Sequence, residues 1–203
     1  MAEQVFPTKG NLIKTKRQLA QAIMGFELMD RKRNILVHEM VTMVDDARTI
    51  RNDIDITYSE AYKALETANV TLGLVETIAQ MFPIDNTLSM SSHSVMGVEL
   101  PTIASQIVAN KRPVYAMEHT NSAFDRAYVC FKKVKVLTVN LAQTENSIYR
   151  LANSIKKTQK RANALKYIII PRLRKQVKFI TDALDEKERE EFSRQKVIKK
   201  RKL

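Results

Sequence analysis

The sequence predicts an all-α protein, a long antiparallel two-helix coiled coil interrupted near its middle by a short β element. Three observations carry that expectation. Two long stretches lack proline, from Asn11 to Phe82 and from Val114 to Ile170. Each carries a narrow apolar stripe that recurs in steps of three or four, the spacing that keeps side chains on one helical face. Between them, residues 83–113 are rich in Ser, Thr, Asn and Pro and keep no helical period.

The first segment, 1–82, reads as the N-terminal coiled-coil helix, with only Gly25 and Gly73 inside its proline-free stretch. Its stripe runs Leu36, Met40, Met43, Ala47, Ile50, Ile54, Tyr58, Ala61, Leu65, Ala68, Leu72, Val75, Ala79 and Phe82. The steps alternate between three and four except around Ile54, where two fours adjoin; such a stutter locally unwinds a left-handed supercoil. Leu12, Leu19, Ile23 and Phe26 extend the stripe upstream, with a polar break from Asp30 to Arg33.

The middle segment, 83–113, reads as a loop. Ser94 to Leu100 inside it has the composition of a short strand with Gly97 within, which suits a small β element. The segment 114–184 reads as the C-terminal coiled-coil helix. Its stripe is Phe124, Ala127, Phe131, Val134, Leu137, Leu141, Thr144, Ile148, Leu151, Ile155, Thr158, Ala162, Leu165 and Ile169, and Leu173, Val177, Ile180 and Leu184 continue it. Pro171 falls inside that pattern. A proline costs about 3 kcal/mol in a helix interior, so the helix must end or bend there, and the in-phase continuation favours a bend. The charged tail, 185–203, reads as a frayed, solvated end.

At 1.5 Å per residue each helical segment would be on the order of 100 Å long if straight, too long for a compact domain of this mass. Two such helices in one chain imply an antiparallel hairpin. Their other faces carry Lys, Arg, Asp, Asn and Thr, so a two-stranded pairing fits better than a thick bundle. Five prolines and four glycines in 203 residues fall well below the usual shares of about 5% and 7%, which also favours uninterrupted helices.

The formal charge of +12 is unevenly spread. Residues 1–149 carry 16 basic and 16 acidic side chains, whereas 150–203 carry 18 basic and 6 acidic ones. The second helix and tail therefore point to an acidic partner, which charge alone leaves open between nucleic acid, lipid headgroups and protein. Cys130 is the only cysteine, which forbids an intrachain disulfide and suits a reducing compartment. The amino terminus lacks the apolar core of a signal peptide, and nowhere do 18 apolar residues run together. The expectation is a soluble protein with any membrane link through partners.

Catalytic constellations are not apparent. Four dispersed glycines cannot form a phosphate-cradling loop. His38, His93 and His119 lie far apart without companion ligands at metal spacing. No serine sits in a nucleophile elbow, and adjacent carboxylates such as Asp45 and Asp46 diverge on a helix. No catalytic, cofactor-binding or metal-binding residue is expected. The nine methionines, among them Met24, Met29, Met40 and Met43, read first as core filler and second as an adaptable surface. On these grounds a basic coiled-coil nucleic-acid-binding protein and a helical adaptor both stay possible. Against the former, Trp is absent and the basic residues are not interleaved with stacking aromatics.

Three blocks resemble the D subunit of V-type and archaeal-type ATP synthases over nearly the whole chain. The first is Pro7, Thr8 and Lys9 followed by Leu12, Leu19, Ala22, Gly25, Leu28, Lys32, Arg33 and Leu36, departing at Asp30, where the family usually has a basic residue. The second, Ser94 to Pro101 around Met96 and Gly97, is similar to the β-hairpin region that interrupts the family's coiled coil. The third runs through Lys160, Arg161, Asn163, Ala164, Leu165, Ile170 and Pro171 to Phe179, Ile180, Leu184 and the acidic cluster ending at Glu191; Ala162 and Lys166 replace the family's valine and glutamate.

What the resemblance implies is a non-catalytic central-stalk component, a rotor shaft without an ATP site or cofactor. Its paired terminal helices would enter a ring of alternating A and B subunits, and its opposite end would meet the F subunit and the C subunit. It would be cytoplasmic, peripheral to the cell membrane through the complex, and would contact no nucleic acid directly. The expected partner-binding positions are the matched residues Pro7, Thr8, Lys9, Gly25, Lys32, Arg33, Met96, Gly97, Lys160, Arg161, Asn163 and Pro171. The basic excess adds Arg150, Lys156 and Lys157, facing an acidic or polar ring lining.

Overall fold

The computed structural model describes residues 6–73, 75–80, 82, 88–105, 115, 117 and 120–201. Helix α1 spans Lys9–Leu72 and a single-turn helix α2 spans Glu76–Ala79. Strands β1, Leu88–Val95, and β2, Val98–Ser105, form a two-stranded antiparallel sheet. Helix α3 spans Ser122–Ala164, a π-helical turn occupies Leu165–Ile169, and helix α4 runs from Ile170 to Arg201. The fold is therefore all-α apart from one hairpin in its middle. The loop expected on either side of that hairpin, 83–87 and 106–113, lies outside the described residues, as does His119.

The helix ends follow from local chemistry. Thr8 caps α1, its Oγ1 accepting the Asn11 N–H at 3.2 Å while its carbonyl accepts the Leu12 N–H at 3.0 Å. At the other end Gly73 takes a left-handed φ of 77° and donates its N–H to the Asn69 carbonyl, which closes the last turn. Helix α1 thus stops at Leu72, short of the expected Phe82. Asn121 caps α3 through Oδ1 on the Phe124 N–H, and its Nδ2 donates to Thr71 Oγ1 on α1.

The chain divides into two compact units, residues 1–35 with 155–203 and residues 36–154. In the second unit α1 pairs with α3. Arg51 meets Glu145, Tyr62 packs edge-on to Phe131, and Thr71 meets Asn121. Partner numbers fall as α1 advances, so the helices are antiparallel. The seam between them buries Leu36, Ile54, Ala61, Ala64, Ala68, Phe124, Ala127, Val134 and Leu151. Its alanines leave little apolar volume, and the seam closes on an aromatic end. There Ala68, Val75 and Phe124 are covered by Phe82 and Tyr115, so the apolar stripe persists beyond Gly73 although the helix does not.

In the first unit α1 pairs antiparallel with the end of α3 and with α4. Lys9 meets Glu188, the Lys166 ammonium lies over Phe26, and Arg33 meets Gln159. The seam positions on α1 in and next to this unit are Leu12, Thr15, Leu19, Ala22, Phe26, Met29, Arg33 and Leu36, all buried or half-buried and in strict three–four alternation. Two of them are polar. Thr15 satisfies itself by donating to the Asn11 carbonyl, and Arg33 bridges Asp30 at 2.8 Å and Gln159 at 2.9 Å.

Pro171 does not end the helix. Ile170 donates its N–H to the carbonyl of Leu165, five residues back, and the widened π turn makes room for the proline ring that would clash with a carbonyl in an α-helix. The widened turn exchanges one seam position, and Leu173, Val177, Ile180 and Leu184 stay at their expected places. Ile169, expected in the seam, is 40% exposed, whereas Ile170 is 7% exposed and carries the seam on to Ile180. Beyond Leu184 the tail is exposed but helical to Arg201, in place of the expected frayed end.

The hairpin also differs in detail. Ser94 to Leu100 is not one strand containing Gly97, because Met96 and Gly97 are the two central residues of the turn, with φ of 50° and 73°. Positive φ at both positions defines a type I′ turn, whose twist matches the flanking strands. Val95 pairs with Val98 across it, and the register runs without a bulge to Leu88 opposite Ser105.

Candidate functional site

The expected partner-binding residues divide between the two units. In the first, the start of α1 carries Pro7, Thr8 and Lys9. Thr8 is occupied as a helix cap, and Lys9 pairs with Glu188 at 3.0 Å, both side chains largely exposed. The hydrogen bond and charge of Glu188 raise the Lys9 pKa above its usual 10.5. Gly25 faces the π turn, yet a Cβ there would meet only Leu165 Cδ1 at 3.9 Å, so close helix approach does not demand glycine. Lys32 is half-buried.

Arg33 is turned inward. It holds Asp30 and Gln159, and Gln159 in turn donates to Asn163 Oδ1 at 2.9 Å, making one polar layer across the seam. The family departure at Asp30 supplies this layer's carboxylate. Arg33 and Asn163 are therefore engaged within the chain.

Lys156, Lys157, Lys160 and Arg161 are exposed on the outside of α3. Lys156 with Lys160 and Lys157 with Arg161 are four apart, so like charges sit one turn from each other, an arrangement that repels unless an outside anion offsets it. Among the described residues no ion pair engages these four. Pro171 is exposed beside an apolar patch absent from the expected site. The π turn turns out Tyr167 and Ile168, each 67% exposed, together with Ile169. On α1, Met24 and Leu28 are also exposed, one turn apart. The run Tyr167-Ile168-Ile169-Ile170 ahead of a proline was the signal for that patch, since four consecutive large apolar residues cannot all face one seam.

The second unit holds the other three positions. Met96 and Gly97 are exposed at the hairpin turn. Arg150 is exposed and reaches the hairpin, its Nη1 donating to the Glu99 carbonyl at 3.1 Å. Among the described residues no cluster of His, Cys, Asp and Glu is placed to hold a metal, and no helix is long and apolar enough to cross a membrane.

Fold and surface together define a paired-helix protein with a β-hairpin, whose distinctive groups are an exposed basic row and exposed apolar side chains. Comparison with known proteins makes the class specific. The family described as the ATP synthase D subunit matches residues 11–200. The chain is 42% identical over 199 residues to the V-type ATP synthase D subunit of Thermotoga neapolitana, covering 97% of this chain and 98% of that protein. It is 38% identical over 200 residues to the A-type ATP synthase D subunit of Pyrococcus furiosus, covering 97% and 94%, and 37% identical over 206 residues to that of Thermococcus kodakarensis, covering 98% and 96%. The chain belongs to the ATP synthase D-subunit family and is a component of a V/A-type ATP synthase.

Proposed function

We propose that the chain is the rotor shaft of this complex, a central-stalk component that carries torque between ATP turnover in a ring of A and B subunits and ion translocation in a membrane ring. It catalyses nothing itself. The F subunit and the C subunit are its further partners, and it works on the cytoplasmic side, peripheral to the membrane through the complex.

The observation that supports this most is the pairing within each unit. Two helices hide only a narrow seam and leave most of their other faces available, which suits a part that must meet several surrounding surfaces in turn. Tyr167, Ile168 and Met24 are the apolar side chains, and Lys156, Lys157, Lys160 and Arg161 the cationic ones, offered to the ring. Unequal contact with successive A/B pairs would bias each between open and closed states.

The test is rotation itself. A bead is attached through an introduced cysteine at Ser94 in a Cys130→Ser background, and the assembly is fixed by its A/B ring. ATP-dependent unidirectional rotation of the bead is expected. A chain that copurifies with A and B while the bead stays fixed to the ring would reverse the assignment from rotor to stator.

A further inference from the structure

Among the described residues, two side chains of α3 hydrogen-bond to the backbone of β2. Gln143 Oε1 accepts the Ile103 N–H at 2.7 Å, and Arg150 Nη1 donates to the Glu99 carbonyl at 3.1 Å. Because the Ile103 amide bonds to Gln143, it is not part of the ladder with β1. In an antiparallel pair the backbone groups alternate between inner and outer edges. Glu99, Pro101 and Ile103 therefore present theirs on the outer edge of β2, toward α3. Pro101, which has no N–H to donate, falls on this outer edge, where its absence breaks no ladder bond.

The spacing of the two clamps matches. Glu99 and Ile103 are four residues apart on a strand, about 13 Å. Gln143 and Arg150 are seven apart on α3, two turns along one face and about 10.5 Å. Strand and helix thus run antiparallel, with a polar bond at each end. Between the bonds Leu100 is fully buried and Pro101 is buried. Apolar burial is non-directional and would tolerate sliding or rotation of the strand, whereas the two hydrogen bonds fix both.

We propose that Gln143 and Arg150 are positioning residues that clamp the outer edge of β2 to α3, holding the hairpin in one orientation as a fixed arm. Arg150 serves the arm from within the chain. This holds for the chain alone and does not rest on the rotor assignment.

The test uses the full chain with Cys130→Ser and spin labels at Ser94→Cys, near the hairpin turn, and Ala152→Cys, on α3. Gln143→Leu with Arg150→Met removes the acceptor and the donors while keeping apolar stems. The expected result is a broadened label–label distance distribution and amide exchange at Ile103 faster by about tenfold, the equivalent of one lost hydrogen bond. Gln143→Glu retains an acceptor and should keep the narrow distribution, whereas Gln143→Leu alone should not. The clamp is refuted if the double variant keeps the wild-type distribution and exchange, or if Gln143→Glu is as perturbed as Gln143→Leu. Should the double variant lose helix by circular dichroism, the Glu and Leu single variants decide the matter.

Discussion

Leu151→Ala tests the seam where it is most completely closed. Leu151 is fully buried on α3, in a unit whose partner helix offers mainly alanines near its far end and Leu36 at its near end. Deleting a buried leucine to alanine costs about 2 to 5 kcal/mol, the spread reflecting how far the surroundings collapse into the cavity. A two-helix seam is thin, and water or a small helix shift can fill the space. The lower half of that range, about 2 to 3 kcal/mol, is therefore expected. For a chain of this size 1 kcal/mol corresponds to about 2–4 °C, so the midpoint should fall by about 5 to 10 °C. Thermal unfolding followed by circular dichroism at the helix band gives the shift. Tyr149→Ala, two residues away and 69% exposed, is the matched control and should stay within about 0.5 kcal/mol. If the two variants unfold together, Leu151 is not in a closed seam and the antiparallel pairing is wrong. Leu65→Ala, at a half-buried seam position, should lie between them.

Pro171→Ala should change stability by less than about 1 kcal/mol, because the π turn already absorbs most of the roughly 3 kcal/mol that proline costs in an unadapted helix; denaturant titration showing a gain near the full value would mean the turn relieves nothing. Replacing Lys156, Lys157, Lys160 and Arg161 together by Ala should weaken binding to the A/B ring and flatten its salt dependence, and binding unchanged in both respects would exclude the basic row as a contact. Tyr115 has its pKa raised well above 10.0 by burial and by its hydrogen bond to Asp125. Its neutral form stabilises the fold fully below the unfolded pKa, and that contribution is lost as pH rises above 10. Tyr115→Phe should therefore show a shallower alkaline loss of stability than the wild type in pH-dependent melts, and identical slopes would refute the assignment. NMR titration of the Lys9 Nζ should show its pKa dropping toward 10.5 in Glu188→Gln, and no change would mean the exposed pair does not form in solution.

Most of the fold was legible because a two-helix pairing writes its geometry into one repeating stripe. Leu36 through Leu72 and Phe124 through Leu165 could be read directly, since three–four spacing on an otherwise polar helix rarely arises without a partner helix. What escaped followed from residues whose type contradicts their position. Thr15 and Arg33 occupy seam slots, but neither counts as apolar, so the stripe reads as broken where it only changes chemistry. Met96-Gly97 lacks the Asn or Asp that usually announces a type I′ turn, which left Gly97 looking like a strand residue. The candidate site was less legible than the fold. Lys156, Lys157, Lys160 and Arg161 are as exposed as the charge count suggested. Arg33 and Arg150 also make bonds inside the chain, which a one-dimensional reading of basic residues does not reveal.

The departures from a regular seam differ in kind, and each has a separate physical consequence. The stutter around Ile54 keeps an apolar residue in the seam, so it costs no burial and only relaxes the supercoil. The layer of Asp30, Arg33, Gln159 and Asn163 gives up apolar burial for directional bonds. A slip of either helix would break the Arg33–Gln159 bond, whereas Arg33 keeps Asp30 on its own helix, so the layer favours one register through that single cross-helix bond. The π turn before Pro171 inserts one residue and thereby turns Tyr167, Ile168 and Ile169 outward. The last of these decides which side chains the surface carries at this turn, three of the four apolar residues from Tyr167 to Ile170 facing outward. Retaining proline there and three outward apolar side chains fits a surface that must touch something else.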